Sequence, residues 1–583
     1  MTKPALLLTG ADPSHQDRCI AKVLQFFGVA SRNLTTAEFE AANVSDAAPS
    51  DKFRLLCSAD ILLRIFRDLE RDGGEIPGWR QHVHSAFVYA GEDFETLQKL
   101  ARIVTGDDEA CLQEVSPSIG DLVVSEEAKD FCGAMAGMRV AASRANTGAS
   151  SVLRTGKGNA LISFGQGAMF LKAEYKGVVI CLSTCKRIIN LDAKPGSRTF
   201  DVRDNFLSAV PIVLYTRWAF GNSCWKAPET NACLVIDDPC LKPRYGCLKF
   251  DELFALMERH HFSTNIAFIP WNWRRSKPKV AKLFRQKPDY CSLSIHGSDH
   301  IAEEFGSTDR EHLRWKTAEA INRMSGHETR TGIRHERIMV FPQGIFSTMA
   351  MDVLKHFNFT AAVNSEIISA DPHRQAITIS DLWDVAVMRY GCFPMFTRRD
   401  PFQGIENFAF DILLGKPCLV AVHHDFCRDE YKHLLAFIHR LNRLNCRLSW
   451  RSLGEAIKRS YRQRELSLNL VEIQMYAAEL LLENSSAESK RCLVRRHECD
   501  PSAIREASAD SDPVVWKSAD DCINFEIELS PGERKMISIK FHEPAENGYP
   551  GRNVPYRLRT MVRRYLSELR DNYVMKDDMR FRP

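Results

Sequence analysis

The chain has 583 residues, 44% hydrophobic and 26% charged, with 31 Gly and 25 Pro. That composition belongs to a folded protein of several domains and excludes a disordered, collagen-like or low-complexity chain. The 78 Lys and Arg nearly balance the 74 Asp and Glu, so bulk charge gives no reason to expect nucleic acid or a membrane as partner, and any polyanion contact has to be local.

Short apolar runs at 5–8, 53–57, 86–89, 160–164 and 178–182 alternate with helix-like segments at 18–27, 60–69 and 94–103. This pattern predicts an α/β domain over residues 1–225. Residues 154–159, with Gly and Lys but no phosphate-loop spacing, read as a hairpin turn before the strand at Ala160. The middle part, residues 226–465, has strand-like runs at 233–236, 266–269, 292–295, 338–341 and 418–422, separated by helix-length segments. That order predicts a β/α barrel or a wound sheet, with reactive groups just past the carboxyl ends of parallel strands.

Residues 466–583 change character. A helix-like stretch is expected at 467–483, then a hairpin around Ser530-Pro531-Gly532-Glu533, making a β-rich module. In the closing segment Leu558, Val562, Tyr565 and Leu569 recur at spacings of four, three and four with arginines between them. This predicts an amphipathic helix that docks on the protein first, and on a membrane surface only as the lesser reading.

No uninterrupted apolar run reaches a membrane-spanning length of about 18 residues, and Met1-Thr2-Lys3 leads directly into the first strand-like run. A cytoplasmic protein with no transmembrane segment is expected. The 18 cysteines lie scattered from Cys19 to Cys522 with no C-x-x-C pair, which predicts buried free thiols rather than a zinc ribbon or an oxidised scaffold.

The chemistry concentrates at the expected strand ends. The run Leu234-Val235-Ile236 ends in Asp237-Asp238; one acid could bind a metal and the other act as base, although such a pair by itself is more often a cap or a solvated turn. The run 293–295 ends in His296-Gly297-Ser298-Asp299-His300, whose histidines are four apart, a spacing that on a helical turn puts both imidazoles on one face. Two His and one Asp with open positions for water make a hydrolytic zinc site. After 338–341 comes the tight turn Pro342-Gln343-Gly344, whose backbone N–H groups can serve an oxyanion. The run 419–422 ends in His423-His424-Asp425, where a histidine can protonate a leaving amine. Trp271, Trp273 and Arg274 follow another strand and suit either sugar stacking or a packed loop cap.

In residues 230–455 these motifs resemble the NodB-homology polysaccharide deacetylases, metal-dependent carbohydrate esterases on a β/α barrel. The resemblance implies Asp237 as general base, Asp238, His296 and His300 as ligands of Zn²⁺ or another divalent ion, and the Gln343 N–H as oxyanion donor. It implies His423 as general acid, with His424 the alternative, and an acetylated glycan or glycan precursor as substrate. The departures are Val340 where the family carries an arginine that pairs with the catalytic aspartate, Gly297 where it carries Ser or Thr, and Asp381-Leu382-Trp383-Asp384 as a loose match to its Asp-Trp element. They motivate a rival reading, a catalytically inactive barrel that binds glycan or organises an assembly. A metal-independent glycoside hydrolase using Asp237 and a second acid is the other alternative.

Overall fold

The computed structural model describes residues 5–41, 52–71, 82–91, 93–114, 120–143, 151–196, 199–373, 375–543 and 554–574. The protein is mixed α/β, with a curled parallel sheet at its centre.

In the first part, the strands Ser31–Thr35, Ala5–Thr9, Phe53–Ser58, Val83–Tyr89 and Val178–Ser183 pair in parallel in that order, and antiparallel strands extend the sheet from Val178–Ser183. Strands Ser151–Arg154 and Asn159–Phe164 do not form the expected hairpin; each pairs with Gly167–Tyr175 rather than with the other. The helix Phe206–Phe220 is apolar and buried around most of its circumference, as a helix packed on several sides must be. Its residues belong to one apolar core that also holds Leu7, Phe87, Leu234 and Ile266, so the first sheet and the central one share an interior.

Seven parallel strands form the central sheet: β1 (Thr230–Asp237), β2 (Thr264–Phe268), β3 (Cys291–His296), β4 (Ile338–Val340), β5 (Ala361–Asn364), β6 (Met395–Thr397) and β7 (Cys418–His423). Their order is β6-β5-β4-β3-β2-β1-β7, and a short strand, Leu448–Trp450, also pairs with the start of β1. The sheet curls until Arg399, just beyond β6, bridges Val420 of β7. Burial on both faces accounts for the near-continuous apolar sequence of β1. Alternation then sorts its side chains: Leu234 and Ile236 point out to the helices, while Cys233 and Val235 join Ala267, Val340, Val363 and Phe396 inside the curl. By the same period of two, Asp237 is delivered to the interior at the carboxyl end.

The last module is a pair of β-sheets around a core that includes Ile473, Val494, Phe525 and Ile539. The helix expected at 467–483 is instead two strands, Leu470–Met475 and Glu479–Glu483. Val471, Ile473 and Met475 are buried on every second residue, and this alternating pattern outweighed the helix propensity of the segment. A disulfide, Cys392–Cys499, ties this module to the central sheet, whereas the other sixteen cysteines are free and mostly buried. The expectation of free thiols throughout is corrected at that pair, and with it weakens the cysteine argument for a reducing compartment. Among the described residues no helix is long and apolar enough to cross a membrane.

The C-terminal helix, Val554–Leu569, packs across loops at the carboxyl end of the central sheet mainly by its polar face, with Tyr565 of the apolar side also touching Trp271 and Arg275. Arg563 donates to the carbonyls of Asp299 and His300, the Tyr556 hydroxyl donates to Asp299, and Glu568 pairs with Lys242 and Arg275. Its polar face is the docked one.

Candidate metal centre and hydrolytic site

Asp238, His296 and His300 converge: one ligand-capable atom from each lies within 4.8 Å of the others. The Asp238 Oδ1 stands 3.4 Å from His296 Nε2 and 3.1 Å from His300 Nε2. His296 is buried at the end of β3, and its Nδ1 lies 2.9 Å from the Val340 carbonyl. That contact fixes Nδ1 as the protonated nitrogen and turns Nε2, with its lone pair, toward the cluster.

The histidines do not meet on a helical turn, as their spacing predicted. Residues 297–300 form a non-helical loop, with Gly297 at φ 65° and His300 at φ 56°. The buried Glu304 carboxylate organises it by accepting from the N–H groups of Ser298 (2.9 Å), Asp299 (2.8 Å) and His300 (3.0 Å). Lys316, buried beside it, neutralises Glu304 at 3.0 Å and Asp299 at 2.7 Å. Gly297 is required twice over, by its left-handed backbone and by space, since a Cβ there would lie 2.5 Å from both Glu304 Oε2 and Pro342 Cγ.

Asp237 holds a bidentate ion pair with Arg398, at 2.6 Å for each of the two contacts, and both side chains are buried. Burial pushes the Asp237 carboxyl up, but the guanidinium charge and its two hydrogen bonds more than offset this and hold it below the usual carboxylate range. Arg398, just past β6, therefore supplies the guanidinium that Val340 does not. Reasoning from sequence missed it, although the pair Arg398-Arg399 at a strand end was the available signal.

At the end of β7, adjacent histidines part company. His423 is 62% exposed, with Nδ1 4.0 Å from Asp238 Oδ2. His424 is buried, packs edge-on against Tyr245, and is pushed toward the neutral form by burial. Gln343 sits in the turn after β4 with a left-handed backbone at φ 58°. The three residues expected to contact sugar are engaged in packing: Trp271 lies edge-on to Tyr565 of the C-terminal helix, and Trp273 packs on Gly326 with Arg274 stacked over it. That arrangement matches the packed loop cap rather than an open stacking platform. Asp381 caps the helix Ile379–Trp383 and, with Asp384, lines a cavity between the modules rather than joining the cluster.

The donor set fits a divalent ion. Asp238 Oδ1 is a buried oxygen without a hydrogen-bond donor, and two imidazole nitrogens face it, the mixture of one carboxylate and two histidines that hydrolytic zinc sites use.

No family model and no curated protein sequence matches the chain. Among solved structures it is similar to a putative polysaccharide deacetylase from Mycobacterium smegmatis, at 12% identity over 39% of this chain and 90% of that one, with a TM-score of 0.28. A family 4 carbohydrate esterase from Streptomyces lividans gives 12% identity over 37% and 86%, with a TM-score of 0.22. A peptidoglycan deacetylase from Bacillus subtilis gives 9% over 40% and 92%, with a TM-score of 0.25. Likenesses this distant say nothing of what this chain acts on, and the functional reading rests on the geometry of its own residues.

Proposed function

We propose that this protein is a metal-dependent hydrolase that removes an acetyl group from an amino sugar of a glycan or glycan precursor. The observation that carries the reading is the convergence of Asp238, His296 and His300 around an orphaned buried carboxylate oxygen, with the Asp237–Arg398 pair and His423 beside it.

Asp238, His296 and His300 would hold Zn²⁺ or a similar ion, which when bound supplies Lewis acidity toward the acetyl carbonyl. Asp237 takes the proton of the attacking water, and Arg398 keeps its carboxylate ionised and in one orientation. The N–H of Gln343 meets the developing oxyanion, where loss of one such donor typically costs ~10² to 10³ in rate. His423, being exposed and near Asp238, donates a proton to the departing amine; His424 is enclosed behind it.

The observations favour this over the rivals. Arg398 compensates for Val340, and Gly297 is a steric requirement of the histidine loop, so neither departure argues for an inactive barrel. A glycoside hydrolase needs one of its two carboxyl groups protonated as general acid, whereas Arg398 keeps Asp237 ionised and Asp238 faces two imidazoles. The test is metal content by mass spectrometry together with acetate release from acetylated amino-sugar oligosaccharides. One equivalent of ion and acetate release are expected, both lost in His296→Ala; protein free of metal after dialysis against zinc, or unchanged by that substitution, overturns the reading. A cytoplasmic site of action is a separate proposal, refuted by recovery of the protein in a periplasmic fraction.

A further inference from the structure

The C-terminal helix is inverted relative to an ordinary surface helix. Leu558, Met561, Val562, Tyr565, Leu566 and Leu569 are each 40–59% exposed, and at 3.6 residues per turn they fall within an arc of about 140°. The opposite face is the one bound to the protein. There Thr560 and Arg564 are buried, Tyr556 and Arg563 bind the Asp299–His300 loop, and Glu568 is ion-paired to Lys242 and Arg275. Just beyond the helix, Asp571 accepts from the Tyr245 hydroxyl at 2.8 Å and Asn572 from the Gly246 N–H at 2.8 Å, so the polar side is fastened along its length. A soluble domain gains nothing by holding polar groups inward and a continuous apolar stripe outward.

The charges bordering the stripe indicate its occupant. On the same helical wheel Arg559 and Arg570 fall along one edge, Arg570 being ion-paired to Asp571, and Arg557 along the other, where Glu568 also falls but is turned to Lys242 and Arg275; all three arginines are exposed. The helix's acids, Glu568 and the adjoining Asp571, are turned inward and paired. An apolar stripe edged on both sides by guanidinium groups matches an anionic bilayer surface, with leucines entering the acyl boundary and arginines meeting the headgroups. A second copy of the helix would instead bring like-charged rims together.

We infer that the C-terminal helix is a membrane-surface anchor for anionic lipid, formed on the loops that carry the candidate metal ligands. Binding there brings the site at the ends of β1 and β3 to the bilayer without any spanning segment. The inference does not depend on the deacetylase reading, since lipid binding is read out without turnover.

The test is co-sedimentation of the full chain with vesicles of mixed phosphatidylglycerol and phosphatidylcholine, against vesicles of phosphatidylcholine alone, at low and high salt. The expected result is binding to the anionic vesicles that falls with salt, and falls ~10-fold or more in Leu558→Ser/Leu566→Ser and in Arg557→Gln/Arg559→Gln. Circular dichroism of both variants controls for folding, and the salt dependence of the unsubstituted protein gives an independent reading. No binding to anionic vesicles at low salt, equal binding to neutral ones, or partition unchanged by both double substitutions overturns the inference. So does a dimer, seen by sedimentation without lipid, that the leucine substitutions dissolve, because the stripe then belongs to a second copy.

Discussion

Among the described residues two clusters each bring three metal-capable side chains within 4.8 Å, Asp238, His296 and His300 at the ends of β1 and β3, and Cys392, His497 and Cys499 where the central sheet meets the last module. In the first, one imidazole is aimed by the Val340 carbonyl, the loop is held by Glu304, and a buried carboxylate oxygen lacks a donor. In the second, the sulfurs are bonded to each other, and His497 and Cys499 line a cavity of about 840 Å³ between modules. Proximity of ligand types is therefore a weak criterion. What separates a binding centre from a structural staple is whether the donor atoms are spoken for and whether surrounding groups orient them.

The largest effect expected from breaking this contrast is at the first cluster. Asp238→Asn should abolish bound metal and lower acetate release by ~10³ or more, while Cys499→Ser leaves the metal content and turnover unchanged; equal loss from both would erase the distinction. Next comes Arg398→Met, which strands the buried Asp237 carboxylate. It should destabilise the fold by ~3–5 kcal/mol in denaturant titration and raise the lower apparent pKa of the pH–rate profile, because the guanidinium is what holds Asp237 down. An unmoved acid limb would show that Asp237 is not the group seen in turnover.

At the staple, Cys392 and Cys499 close a loop with a sequence separation of 107, and removing the bond in Cys392→Ser/Cys499→Ser should cost ~2–4 kcal/mol of stability. Reduction by dithiothreitol should lower the thermal midpoint of the unsubstituted protein and leave that of the double variant in place.

A buried histidine that the proposed chemistry does not use sharpens the comparison further. His327 sits on Phe268, with Nε2 2.8 Å from the Ser276 hydroxyl, and burial pushes it down to about 4. Its folded value lies below the unfolded one of about 6.5, so the unfolded chain binds the proton first and stability falls as pH drops from about 6.5 toward 4, by roughly 3 kcal/mol at most. His327→Gln should flatten that part of the stability curve; an unchanged slope would assign it to other groups.

The central strands, and the convergence of Asp238, His296 and His300, were legible because these groups follow local apolar runs, where period and punctuation coincide. The segment 467–483 was not, since its apolar positions satisfy both periods and its turn at Tyr476-Ala477-Ala478 contains no glycine or proline. Arg398 was missed for a different reason: its place at a strand end was visible, but its partner lies 161 residues away, and only the closure of the sheet pairs them. The two histidines at the end of β7 could not be ranked from sequence, because one residue's displacement decides which ring is enclosed by Gly246 and Tyr245.

The source of that guanidinium matters beyond this molecule. A genome survey that demands an arginine one residue before the Phe341-Pro342 step would discard this chain as a dead homologue, since Val340 stands there. On the proposed reading the electrostatic duty falls to Arg398 on a different strand, 2.6 Å from the carboxylate it serves, so a filter for such sites has to be written in space, around that carboxylate, instead of as a fixed string of letters.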